Sequence, residues 1–424
     1  MPEFLTLLPP DEARALLLSH LSAPLADSEV VDSALAFGRV TARDVLAPHN
    51  LPEFPRSTVD GYAVRAADTF GASESLPAYL TLMGEIRMGA PSALALSPVQ
   101  CALIHTGGML PDGADAVVML EYTQTVGVDS QRSDANEIEI LRPVAMGDGV
   151  IAVGEDVRIG QIVLARGRLV REAEIGGLMA LGLTQVEVVR KPRVGLISSG
   201  DEVVDPAQTA RAGQVRDINS YTLSALVTRS GGQAVRYGIV RDDLQSLNAT
   251  AQRALAECDA VVITAGSSAS TRDMTAEVIS SLGSPGVLVH GINTRPGKPT
   301  ILGAANGKAV IGLPGNPVSA LVNGFLFVLP VLEKLLGSLP RLRATVTARL
   351  AVNLASQAGR EDWWPVILDP SSNSAGTGGR PYDAHPIFGK SNLIFTLAAA
   401  DGLLRIPPDA TGLSAGEVVE VVLY

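Results

Sequence analysis

The chain of 424 residues carries 44 acidic against 33 basic side chains, a formal charge of −11, and is 46% hydrophobic but only 4% aromatic. That length exceeds one ordinary domain and, at about 150 residues each, corresponds to roughly three. The acidic excess speaks against a general nucleic-acid or anionic-membrane surface. Cys101 and Cys258 stand alone and far apart, which argues against a disulfide framework or a Cys-x-x-Cys metal site and fits a reducing cytosol. Residues 1–8 do not join a basic region to an apolar core and a cleavage site, so secretion is not expected.

In chain order, residues 1–46 are expected to be helical, with Asp11 capping a segment whose Ala13, Leu16, Leu17 and Leu21 share a face. From Pro48 to Pro143 the texture changes to short alternating runs, such as 78–83, 116–120 and 137–141, cut by Gly and Pro. That is the pattern of a β domain. Residues 157–170 and 172–181 read as paired strands and a helix outside that block, which makes the β domain an insertion. From Lys191 strands and helices alternate: 194–198, 220–229, 234–240, 244–255, 260–264, 274–282, 287–290 and 310–313. Such alternation implies a mostly parallel sheet with helices on both faces. The apolar window 318–332, interrupted by Ser319, Asn323 and Pro330, falls short of the roughly 20 residues a membrane span needs and reads as a buried helix. Strands are expected around 344–352, 393–396 and 418–423, with a loose Ser/Gly-rich loop at 371–381.

The expected fold is therefore multidomain, α/β plus β. A doubly wound, mostly parallel α/β domain spans 189–338, a β domain at 47–145 is inserted into a linking domain made of 1–46 and 146–188, and a small β barrel or sandwich covers 339–424.

Ligands of such sheets bind at the carboxyl ends of the strands, where several candidate segments fall. Arg295-Pro296-Gly297-Lys298-Pro299 and Leu313-Pro314-Gly315-Asn316-Pro317-Val318-Ser319 are stiff loops, since Pro fixes φ and Gly allows close backbone approach. Lys298 adds a point charge. Asn316 reads as an N-cap and Pro317 as the first helical residue, which leaves a helix N-terminus open to an anion. The acids of Ser198-Ser199-Gly200-Asp201-Glu202 either bind Mg²⁺ or stand as solvated turn carboxylates. Gly266-Ser267-Ser268-Ala269-Ser270-Thr271-Arg272-Asp273 offers hydroxyls and amides to a phosphate, or is a Ser-rich helix cap. In the β block, Asp60-Gly61 by itself is a turn signal, and Thr106 followed by Gly107 and Gly108 could hold an oxyanion. The sequence has no strict G-x-x-x-x-G-K-[ST] or G-x-G-x-x-G, and its five histidines show no ligand spacing. Phosphate binding near carboxylates, with a divalent metal as mediator, is what remains.

Taken in order, Val59-Asp60-Gly61-Tyr62-Ala63, Thr106-Gly107 with Pro111-Asp112-Gly113-Ala114-Asp115-Ala116-Val117-Val118, Ser199-Gly200-Asp201-Glu202, and the two Gly/Pro loops closely resemble the molybdopterin molybdenumtransferase family, to which the E domain of gephyrin belongs. The resemblance runs from about Leu5 to Tyr424. It implies Mg²⁺-dependent insertion of molybdate into adenylylated molybdopterin with release of AMP, in a cytoplasmic homodimer whose cleft lies between the α/β domain of one subunit and the inserted β domain of the other. Carried over by motif, Asp60, Thr106, Glu202 and Asp273 would be active-site residues, with Glu202 and Asp273 as the metal ligands. Gly107, Ser267, Ser268, Ser270, Lys298, Pro314, Gly315, Asn316, Pro317 and Ser391 would line the substrate site. The segment 266–273 departs from the family's Gly-Gly-x-Ser-x-Gly and is one residue shorter, and Arg295 stands where Lys is common, which keeps the charge. The rival implied by the same resemblance is a gephyrin-like scaffold that binds a short peptide of a cytoskeletal or membrane-associated partner.

Overall fold

A computed structural model describes residues 7–126, 136–265, 269–370 and 382–423, with the side chains of 269–272 outside that description. Its centre is a six-stranded sheet in the order Gln233–Val240, Arg193–Ser199, Ala260–Ala265, Lys308–Pro314, Ile301–Ala305 and Pro285–His290. The first four strands are parallel, and Ile301–Ala305 runs antiparallel to both of its neighbours. Alternate side chains of the central strands point to opposite faces. Val194, Leu196, Ala260, Val262, Ala309 and Ile311 enter one apolar cluster, and Ile197, Val261, Ile263 and Val310 enter the other. This two-sided burial is why these strands read as continuous apolar runs. The strand Ile301–Ala305 escaped sequence reading because Gly303 breaks its pattern. A Cβ there would lie 2.4 Å from Ile279 Cγ2 and 2.8 Å from the Gly286 carbonyl oxygen, so the glycine lets a helix and a neighbouring strand press on the backbone.

Helix Leu244–Glu257 begins at Asp243, whose side chain accepts from Ser246 N at 2.8 Å, and buries Leu247, Ala251 and Ala254, spaced for one face. The last helix is longer than the sequence suggested. It runs 20 residues, Pro317–Leu336, with mean hydropathy 1.6, and passes by length and composition as able to cross a membrane, yet 72% of its most apolar window is buried in the protein. Ser319, Asn323 and Pro330 lie inside it without ending it. A π turn at Gly324–Val328 precedes Pro330, which has no N–H to give the preceding turn. Gly337, at φ +59°, closes the helix in the left-handed conformation.

The N-terminal expectation needs correction. Among the described residues before 47 only Pro10–Ser19 is α-helical, Pro9 occupies the cap, and Asp11 binds Arg14 at 2.7 Å instead of capping. Its Ala13, Leu17 and Leu21 pack into the α/β core. Farther on, Ser28–Asp32, with the β-branched pair Val30-Val31, is a strand instead of helix and pairs antiparallel with Gln185–Val189. The inserted unit is a six-stranded sheet in the order Ala116–Met119, Gly61–Val64, Gln100–Ile104, Ala78–Glu85, Glu137–Ile140 and Thr123–Thr125.

In the C-terminal unit Glu361–Pro370, Tyr382–Pro386, Thr345–Leu350, Val418–Leu423 and Gly402–Ile406 pair in a ring that closes on itself, a five-stranded barrel. The expected strand at 393–396 is instead part of a short helix, Phe395–Ala398. The three-residue apolar run Leu393-Ile394-Phe395 carries no period long enough to separate strand from helix, and Ala398, Ala399 and Ala400 lie just beyond it. The expected loop at 371–381 lies outside the described residues.

Phe327 is fully buried at the middle of the long helix. Phe327→Ala should cost about 3–5 kcal/mol of stability, read as a lower urea midpoint at unchanged slope.

Candidate functional site

The strand pair Thr294–Arg295 and Glu361–Asp362 joins the first Gly/Pro loop to the barrel, in parallel register. A cavity of about 680 Å³ lies at that junction. Arg295, Lys298, Arg360 and Lys390 line it, and none of its lining residues is acidic. Beneath them Asp362 is fully buried. It accepts two hydrogen bonds from Arg360, at 2.7 and 3.0 Å, and lies 3.8 Å from Arg295. The Arg295 guanidinium also packs 5.1 Å over the Trp364 ring. The neighbouring buried acid, Glu361, is taken up by Arg405, at 2.8 and 2.5 Å, and by Trp363 Nε1 at 2.7 Å. Four cations therefore line the cavity, and only two of them, Arg295 and Arg360, lie against the buried Asp362, an excess of positive charge that suits an oxyanion.

The first loop has its shape because Gly297 sits at φ +108°, where a Cβ would lie 1.7 Å from Asn323 Nδ2. Only glycine fits there. The Gly297 carbonyl accepts from Thr300 N at 3.0 Å and Thr300 Oγ1 at 2.8 Å, and Ile292 N donates to the Lys298 carbonyl at 2.9 Å. Lys298 itself is exposed.

In the second loop Asn316 occupies the N-cap and Pro317 the first helical position, but the Asn316 side chain makes no cap. Its Nδ2 donates to Ser391 Oγ at 3.0 Å, and Val318 N donates to the Ser391 carbonyl at 3.0 Å. The C-terminal unit thus occupies part of the helix end expected to be open, and an anion in the cavity meets side-chain cations instead. Pro314, Asn316 and Ser391 all line the cavity. Gly315 is tied from behind by Asn219 Nδ2, 2.8 Å from its carbonyl oxygen.

Glu202 and Asp273 are both exposed, Glu202 in the turn after Arg193–Ser199 and Asp273 one turn into the helix Ala269–Ser281. The Glu202 carboxylate folds back over Gly200, where a Cβ would lie 3.0 Å from Oε2. Ser267 and Ser268 lie outside the described residues; Ser270 falls on the helix, with its side chain outside them. Among the described residues no three His, Cys, Asp or Glu side chains gather as a metal site.

Sequence reading missed Asp217, Asn219, Ser220 and Asp242 at the same sheet edge, and Arg360 in the barrel. Asp217, nearly buried, accepts from Ser198 Oγ at 3.0 Å, Ser220 Oγ at 2.5 Å and Ser220 N at 3.1 Å, and Ser199 Oγ donates to Asp242 at 2.5 Å. The signal for the first three was an Asp-x-Asn-Ser run opening a helix. For Arg360 no local signal existed.

In the inserted unit Asp60 and Thr106 do come together: Asp60 Oδ1 accepts from Thr106 N at 2.8 Å and from Thr106 Oγ1 at 3.3 Å. His105 Nδ1 lies 3.6 Å from that oxygen, while Nε2 lies 3.1 Å from Glu85. Gly107, at φ +87°, donates its N–H to the Ser57 carbonyl at 2.8 Å. None of Asp60, Thr106 and Gly107 lines the cation cavity of the same chain.

Comparison with known proteins covers nearly the whole chain. Residues 8–182 match the model of the MoeA N-terminal region (domain I and II), 195–334 that of a probable molybdopterin binding domain, and 347–424 that of the MoeA C-terminal region (domain IV). A putative molybdopterin biosynthesis protein of Methanocaldococcus jannaschii is 34% identical over 431 residues, covering 98% of each chain. Molybdopterin molybdenumtransferase 2 of Mycobacterium tuberculosis is 34% identical over 390 residues, 91% of this chain and 92% of the relative. The crystal structure of a molybdopterin biosynthesis moeA protein from Pyrococcus horikoshii superposes with a TM-score of 0.83 at 31% identity, covering 99% of this chain and all of that one.

The Asp60 carboxyl is held below the ordinary carboxylate range, chiefly by the Thr106 amide, against a partial desolvation, with the Thr106 hydroxyl and His105 adding to the effect. A carboxylate depressed on folding contributes stability that is present above its unfolded value and is lost as pH falls through the folded one. The Asp60–Thr106 contact should therefore persist at neutral pH and open only in acid. Carboxyl-carbon NMR titration should show Asp60 below the usual range, and Thr106→Val, which keeps the amide, should leave most of that depression in place.

Proposed function

The chain belongs to the MoeA family, and from that membership together with the cation cavity we propose that it is a molybdopterin molybdenumtransferase, inserting molybdate into adenylylated molybdopterin with release of AMP. The observation that carries this is a junction cavity where four cations converge and no lining residue is acidic. Molybdate and the pterin phosphate are both oxyanions. Arg295 and Arg360, each held by Asp362, supply fixed planar donors, and Lys298 supplies a point charge free to follow the anion. Two stiff loops then keep the bound anion near the reacting sulfurs, so that the entropy of bringing the partners together is spent on binding.

Glu202 and Asp273 would hold a Mg²⁺ ion, which supplies Lewis-acid polarisation of the adenylate phosphoryl link. The polar cluster of Ser198, Asp217 and Ser220 beside them would orient the pterin end. Asp60 and Thr106 reach this cleft in a homodimer, the inserted unit of one subunit facing the α/β unit of the other, in a reducing cytosol. A peptide-binding scaffold is the less favoured reading, since Asp60, Thr106, Glu202 and Lys298 are all retained, and acidic net charge gives no reason to expect nucleic acid as a partner.

Purified protein given adenylylated molybdopterin, molybdate and Mg²⁺ should release AMP and activate a molybdenum-free apoenzyme. Lys298→Met should lower that rate roughly a hundredfold, as loss of one charge-stabilising donor does elsewhere. Unchanged turnover in Lys298→Met would remove the cavity from the reaction.

A further inference from the structure

Asn323 is fully buried inside the long helix, among the apolar side chains of Ala320, Val322, Leu326 and Phe327. Its Nδ2 donates to the Pro296 carbonyl at 3.1 Å and to the Ser319 carbonyl at 2.8 Å, while its Oδ1 is buried with no hydrogen-bond partner. The orientation is settled by those two carbonyls, because the flipped amide would set oxygen against oxygen. An orphaned buried acceptor is a standing cost that an aliphatic side chain of similar size would avoid.

What the amide holds accounts for that cost. Pro296 and Gly297 form the turn immediately before Lys298, and Gly297 lies so close that any side chain on it would collide with the Asn323 amide. The next residue, Gly324, opens the π turn of the helix, a departure from α geometry common near functional sites. The second Gly/Pro loop repeats the device: Asn219, also nearly buried and also with an orphaned Oδ1, grips the Gly315 carbonyl. We propose that Asn323 is a positioning residue of the cation cavity, pinning the Pro296–Gly297 turn from within the helix and so setting where Arg295 and Lys298 present their charges. This rests on the cavity being the oxyanion site.

The test is molybdate binding to the full-length protein by isothermal titration calorimetry, with unfolding midpoints measured alongside. Asn323→Ala should bind molybdate roughly ten- to a hundredfold more weakly, the scale expected when a binding group moves by about an ångström, while it still unfolds in one cooperative transition, at a midpoint lowered by the loss of a buried amide. Gly297→Ala, which pushes on the same contact from the loop side, should weaken binding in the same way. In a Lys298→Met background Asn323→Ala should lose the part of its effect that runs through Lys298, so the two changes together should be less than additive. Equal affinity in Asn323→Ala and the unmodified chain, or full additivity with Lys298→Met, overturns the proposal. If the unmodified chain takes up no molybdate in a Lys298-dependent way, the oxyanion reading fails separately. The positioning role is then judged by amide hydrogen exchange over 297–300: faster exchange in Asn323→Ala supports it, and unchanged protection refutes it.

Discussion

The cation cavity depends on one buried carboxylate. Asp362 has no exposure to water, and an ion so placed is tolerated only when its oxygens are fully matched by donors. Arg360 supplies a bidentate pair, and Arg295 stands on the other side, braced by Trp364. The arrangement reverses the usual reading of a buried salt bridge. It contributes little net stability, but it holds near each other two guanidinium groups that would otherwise repel, both of them lining the cavity.

This explains how a chain with a formal charge of −11 can receive an anion. Surface carboxylates farther than about 8 Å are screened at physiological salt, whereas a unit charge pair at 4 Å in a partly buried site is worth about 4 kcal/mol before desolvation. Near cations outweigh distant acids. The acidic surface then disfavours nonspecific polyanions while leaving a small, desolvated oxyanion free to enter.

Much of this architecture was legible from the sequence. The α/β strands announce themselves because burial on both faces makes them continuous apolar runs, and both Gly/Pro loops were visible because backbone restraint is written in residue type. What stayed hidden depends on long-range pairing. Arg360 lies beside Arg295 only because Thr294–Arg295 pairs with Glu361–Asp362 across 67 residues of chain. No local pattern records that. Acids at Glu361 and Asp362 would have been read as solvent-facing, yet both are buried against arginines. The helix end at Pro317 misled for a similar reason: the motif was right about the backbone, but a loop from another unit, at Ser391, claims the Val318 amide.

The four cations are divided between units, with Arg295 and Lys298 carried by the α/β segment and Arg360 and Lys390 by the barrel. Ser391 crosses the same junction to Asn316 and Val318. A ligand that bound only the assembled junction would stabilise it by mass action. The barrel therefore has a physical reason to be part of the site, and is more than an appendage of the α/β unit: it supplies half of the cavity's positive charge, the strand that pairs with Thr294–Arg295 and the carboxylate beside Arg295.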